Sequence, residues 1–271
     1  MTSRAAGSAP RGSAHRLVTA PLEFGRDWLV RFVDLQGFDR AVALAGQAFT
    51  ALIPLLIVYA ALVSPASGSG FGDQLIRVFD LSGDAARSVK AAFAPAGEIE
   101  SDASALGAVL LVGSALSFTR ALQRLYQLGW EQPKLGLRAA QWGLIWIGLV
   151  ILILTLRPVI VSDMHGVTRI VLSIGLTTLL WLVTPYVLLA RRVPWRRLVP
   201  AALLTGIGMT ALSIGSVIWM PRTVSSSADQ FGAIGVAFAL LTWLVGAGLV
   251  LVVATAGGAV IDERLGHRRN E

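Results

Sequence analysis

"FGAIGVAFALLTWLVGAGLVLVVATAGGAVI" (Phe231–Ile261) runs for 31 residues without an acidic or basic side chain. A helix needs about 20 apolar residues to cross a hydrocarbon core of roughly 30 Å, and this stretch exceeds that length. The rest of the chain is of the same kind. Of 271 residues, 55% are hydrophobic and only 14% charged, with a mean hydropathy of +0.68. A soluble domain is nearer a quarter charged. Similar runs precede this one at about 41–63, 104–120, 142–157, 170–190 and 198–220, which predicts an all-α membrane bundle of six spans. The last span is long enough to be either tilted or ended by an interfacial turn near Gly257–Gly258. The absence of cysteine excludes disulfides, thiolate catalysis and cysteine-ligated metals.

The net charge of +7 is distributed by topology. The N-terminal segment, the 120–141 and 191–197 connections and the C-terminal tail together hold 17 of the 23 lysines and arginines. The positive-inside rule therefore predicts both termini in the cytoplasm and no nucleic-acid footprint. Residues 1–20 lack an apolar signal-peptide core and read as a disordered cytoplasmic tail. A membrane domain over 21–264 and a short tail over 265–271 follow. In "LEFGRDWLVRFVDL" (Leu22–Leu35), Trp28, Leu29, Phe32 and Leu35 share one broad helical face. That pattern fits a helix on the membrane surface or one packed on the cytoplasmic ends of the bundle.

The longest connection, 64–103, is expected outside and carries six acids against three bases. "FGDQLIRVFDL" groups Phe71, Leu75, Val78 and Phe79, and "SGDAARSVKAAF" opens with Ser82 as an N-cap, so a small helical hairpin is predicted. Ser101 or Asp102 is placed to cap the second span.

That second span, "SALGAVLLVGSALSFTRALQRLYQLGW" (Ser104–Trp130), keeps its helical pattern past its apolar part. Ser117, Arg120 and Arg124 fall on one face. An arginine in mid-membrane costs on the order of 2.5–3.5 kcal/mol on the mildest scale. Arg120 therefore either snorkels to the cytoplasmic surface or lines a polar cavity, where its planar fork suits a lipid phosphate. In "ARRVPWRRLVP" (Ala190–Pro200), Arg191, Arg192, Arg196 and Arg197 surround Pro194 and Trp195, an arrangement suited to anionic headgroups.

Polar residues also interrupt the first span, "GQAFTALIPLL" (Gly46–Leu56). Pro54 has no N–H and crowds the Thr50 carbonyl, on the same stripe as Gln47. These groups need partners that lipid does not supply, so they face protein or a wet cavity. "TTLLWLVTPYVLL" (Thr177–Leu189) has Thr184 and Pro185 in the corresponding place of a three-plus-three inverted arrangement, the usual pointer to a transporter site. Gln47, Thr50, Pro54, Thr184 and Pro185 are thus candidate cavity or hinge residues, with packing irregularity as the plainer reading. Ala211/Gly215, Gly235/Ala239 and Thr242/Gly246, each four apart, suit close helix packing.

With these stretches in place, the chain from about Phe24 to Arg264 resembles the YihY/BrkB family of bacterial inner-membrane proteins. The resemblance is carried by "ALIPLL", "LLVGSALSFTRALQRLY", "RRVPWRRLVPAALLTGI" and "FGAIGVAFALLTWLVGAGLVL". Gly46–Gln47, Pro200–Ala201 and Phe231–Gly232 depart from the family pattern, which has an aromatic pair, Pro-Gly and Tyr-Gly there. The resemblance implies a place in the bacterial inner membrane and a part in envelope integrity, with suggested links to lipid or lipopolysaccharide transport. An older ribonuclease label on some members does not fit these residues. His15, His165 and His267 lie in three separate segments, and the cytoplasmic acids are scattered, so no metal-assisted hydrolase site is expected. No P-loop sequence is present either. The chain is accordingly expected to be no enzyme, without catalytic residues, cofactor or metal. Two functions fit: translocation of lipid or another amphiphile, or a non-transporting envelope scaffold. The expected partners are membrane lipids, envelope proteins met through the outer loop 64–103, and a second copy of the chain in a homo-oligomer.

Overall fold

The computed structural model describes residues 12–52, 54, 71–93, 101–162 and 166–270. Its described elements are all helices: α1 (Gly12–Asp34), α2 (Gly37–Thr50), α3 (Phe71–Phe79), α4 (Gly83–Ala92), α5 (Ser101–Gly129), α6 (Arg138–Ser162), α7 (Gly166–Leu188), α8 (Trp195–Phe231) and α9 (Ala233–Asn270). Leu106–Gly129, Trp195–Phe231 and Ala233–Gly266 are each long and apolar enough to cross a membrane. Arg138–Ile153 and Gly175–Leu188 are shorter apolar stretches. The first predicted span is described only as far as α2 and Pro54; most of 53–70 lies outside the described residues, as does 94–100.

The frame is the antiparallel pair α8 and α9, joined through Gly232 alone. Its φ of 60° and ψ of −136° belong to a region that only glycine enters cheaply. Two features of this pair go beyond the sequence reading. Residues 221–230 were expected to form a loop, yet α8 runs on through Pro221 to Phe231. Thirty-seven helical residues extend about 55 Å, so α8 outreaches the hydrocarbon and carries its last turns beyond it. Nor does a turn occur at Gly257–Gly258, because α9 passes through both. Their bareness is needed between helices: a Cβ on Gly258 would stand 2.6 Å from Ala201 Cα and 2.7 Å from its nitrogen. Gly248 meets α2 in the same way, 2.5 Å from the Ala41 carbonyl oxygen. Among the small-residue pairs, Gly235 and Ala239 are buried as packing requires, whereas Ala211 and Gly215 are exposed, with nothing near the glycine.

Two apolar cores sit at opposite ends of this pair. One gathers Leu44, Leu125, Tyr126, Leu188, Leu198 and Val252 with their neighbours. The other joins Phe79, Leu81 and Val89 of the hairpin to Met220, Val224 and Val236. Leu198 and Met220 are 22 positions apart on α8, about 33 Å along its axis, close to the thickness of a bilayer core. Between the cores, exposed apolar side chains such as Leu110, Ile151, Ile207, Ile214 and Phe238 face outward, as lipid contact requires.

The predicted hairpin is present as α3 and α4, packed on α8 and α9. Its details differ from expectation. Ser82 has the extended backbone of an N-cap but makes no cap hydrogen bond, and Val78 points outward while Leu75 and Phe79 pack inward. At the other end α1 begins at Gly12, inside the segment expected to be a tail. Trp28, Phe32 and Leu35 pack on the bundle, but Leu29 is 67% exposed beside Val30 and Val33. One stripe of α1 is therefore docked on the bundle and a second apolar stripe is left outward.

Candidate functional site

The basic end of the bundle is held by specific polar contacts. Arg31 donates to the Gly129 carbonyl at 3.0 Å and bridges Glu131 at 3.1 Å and Glu263 at 3.0 Å. Arg264 pairs with Asp27 at 2.5 Å, and Arg197 reaches the buried Asp262 at 2.7 Å. These contacts tie α1, the end of α5 and the start of α8 to α9.

Beside them, the last turns of α5 and the 130–137 connection enclose a pocket of about 370 Å³. Arg120, Gln123, Arg124 and Gln127 contribute one stripe of α5, and Lys134 and Leu137 come from the connection. The connection folds back because Gln132 N–H bonds the Gln127 carbonyl at 2.7 Å and Glu131 and Gly136 take positive φ. It is clamped from α7–α8 by Arg192, which donates to the Pro133 carbonyl at 2.9 Å.

The electrostatics favour an anion. Arg120, Arg124 and Lys134 have no carboxylate partner among the described residues, and no acid lines the pocket. Like charges four apart on a helix repel by about 0.2–0.5 kcal/mol, a strain that a bound anion relieves. Ala139 and Ala140, in the first turn of the 25-residue α6, complete the wall. A helix N-terminus presents the positive end of its dipole, although the Ala139 N–H is already taken by the Gly136 carbonyl at 3.1 Å. The floor is neutral and buried: Gln123 is 2% exposed and Gln127 7%. At the rim Leu137 is 98% exposed.

The other predicted site residues lie apart from this pocket. Gln47 is half-buried, and its side-chain oxygen is buried with no partner among the described residues; Thr50 is exposed and donates to the Gln47 carbonyl at 3.0 Å. α2 ends at Thr50, the residue whose carbonyl Pro54 crowds, and Pro54 is buried. Pro185 produces no such end, since α7 continues through it to Leu188. Thr184 is occupied structurally, accepting from Trp146 Nε1 at 3.1 Å and donating to the Leu180 carbonyl at 2.8 Å. Arg196 lies over the Trp195 ring and Arg191 over Tyr186. The hydrogen bond with the Tyr186 hydroxyl raises the Arg191 pKa above its ordinary value. Arg197 is committed to Asp262.

Residues 28–271 match the family described as Virulence factor BrkB. The chain belongs to that family. No curated protein and no solved structure matches it. For this BrkB-family protein the all-helical fold and the apolar helices make an integral membrane protein. Sequence reasoning found Arg120 and Arg124 but missed Lys134 and the floor. Gln123 and Gln127 continue the same stripe at i+3 and i+7 from Arg120, a signal that was available. Lys134 joins them only through the folded connection.

Proposed function

We propose that this protein lies in the bacterial inner membrane with both termini cytoplasmic and translocates lipid or a similar amphiphile. The pocket beside Arg120 and Arg124 receives the anionic headgroup. The observation that carries this reading is the set of three cations without a carboxylate partner around a pocket whose rim bears a fully exposed leucine. A soluble anion has no use for Leu137, whereas a lipid offers phosphate to the cations and hydrocarbon to the leucine. The six-span topology expected from the basic connections supports the orientation, because it puts the pocket at the cytoplasmic headgroup layer. The test is lipid retention. Protein purified in mild detergent carries anionic phospholipid, and the folded Arg120→Ala/Arg124→Ala protein carries severalfold less. Equal lipid on both proteins would remove the pocket from the account.

A scaffold role has its own support at the opposite end. The hairpin is fixed on α8 and α9 by a core, and a groove of about 530 Å³ beside it is lined by Ser82, Arg222, Ser225, Ser226, Asp229 and Gln230. A polar groove of this kind suits an envelope protein partner. Crosslinking from Ser226 in cells tests it: a discrete protein adduct favours the scaffold, and none argues against it.

A further inference from the structure

We infer that the pocket between α5 and α6 selects an anionic phospholipid whose headgroup ends in hydroxyls, that is, a phosphoglycerol lipid. The inference rests on the proposed headgroup site and concerns what lies beyond the phosphate. The pocket has two chemically distinct parts, a cationic rim and a floor of two glutamines more than nine-tenths buried. The rim, with the first turn of α6, is sufficient for a phosphate. The floor then needs a reason of its own, because a buried amide without partners costs about 1–3 kcal/mol.

Gln123 is oriented by its surroundings. Its Nε2 donates to the Ala139 carbonyl at 2.9 Å, and a flipped amide would set two oxygens against each other. That leaves Oε1 as the other end, and it is buried with no partner among the described residues. The Gln127 side chain also lines the pocket and is not among the polar groups sealed from solvent without a partner, and its backbone carbonyl is used by Gln132. The unfilled Gln123 oxygen and the Gln127 amide beside it in the floor suit a group that both donates and accepts.

Headgroup chemistry then separates the common phospholipids. A phosphate monoester ends at the rim and leaves the glutamines unmet. An ethanolamine headgroup donates, but it brings a fourth positive charge beside three cations and no acid. A glycerol headgroup is neutral beyond its phosphate, and its hydroxyls both donate and accept. It satisfies the rim and the floor together.

The experiment measures binding to the full-length protein in detergent by competition against a fluorescent phosphatidylglycerol. The competitors are dioleoyl phosphatidylglycerol, phosphatidic acid, phosphatidylethanolamine and soluble glycerol phosphate. At pH 5, where a phosphate monoester carries about one charge as a phosphodiester does, phosphatidylglycerol is expected to compete about tenfold better than phosphatidic acid, the worth of one or two net hydrogen bonds. Gln127→Leu should erase that preference and leave phosphatidic acid unchanged, and Gln127→Glu should weaken every anionic competitor. Equal competition by the two anionic lipids, indifferent to Gln127→Leu, overturns the selection while the headgroup site survives. Glycerol phosphate competing as well as the lipid also overturns it, making the ligand a solute. If no anionic lipid binds a folded protein, the site itself fails and the inference with it.

Discussion

Trp28 Nε1 donates to the carbonyl oxygen of Val253 at 2.9 Å, joining helices whose residues lie 225 positions apart. Through this bond and the Arg264–Asp27 pair, α1 is docked on the bundle while Leu29, Val30 and Val33 remain outward. Trp28→Phe keeps most of the apolar contact and removes the donor. It should lower stability by about 0.5–1.5 kcal/mol, seen as a lower Tm in detergent. An unchanged Tm would mean that α1 is held by its apolar contacts and ion pairs without help from this bond.

The seam between α8 and α9 depends on Gly258. Gly258→Ala places a methyl group against Ala201 backbone and should destabilise by about 1–3 kcal/mol. Gly215→Ala is the control on α8. Its site is open, and alanine there should add about 0.5–1 kcal/mol through helix propensity. Thermal unfolding of the two variants should shift in opposite directions.

The arginines around Trp195 should separate by function. Arg197→Ala leaves the buried Asp262 carboxylate without its partner, at a cost of about 1–3 kcal/mol. Arg197→Ala combined with Asp262→Ala should recover part of that loss. Arg196→Ala removes an exposed cation over a tryptophan ring and should change stability by less than about 0.5 kcal/mol.

What the sequence disclosed follows the range of the forces involved. Phe231–Ile261 announces a membrane helix because lipid imposes length and apolarity residue by residue. The i, i+4 spacing of Arg120 and Arg124 puts both on one stripe without knowledge of any neighbour. Gly257–Gly258 left a turn and a continuous helix both open, and only Ala201 and Trp28, distant in sequence, reveal the pair as a packing surface. The span ending near 220 proved too short because Met220 and Val224, on either side of Pro221, pack in helix against the hairpin. Lys134 was invisible because the fold of the 130–137 connection, set by Gln132 and Arg192, brings it to the pocket.

The most direct test is lipid translocation by the purified protein. Liposomes carrying fluorescent phosphatidylglycerol are reconstituted with wild type or with the Arg120→Ala/Arg124→Ala protein, each checked for fold, and an impermeant reductant bleaches the accessible label. Wild type should raise the bleached fraction above the half set by the outer leaflet, and the double variant should fall back to the value of empty liposomes. A folded wild-type protein that leaves the fraction at one half, or a variant that matches wild type, would contradict the account.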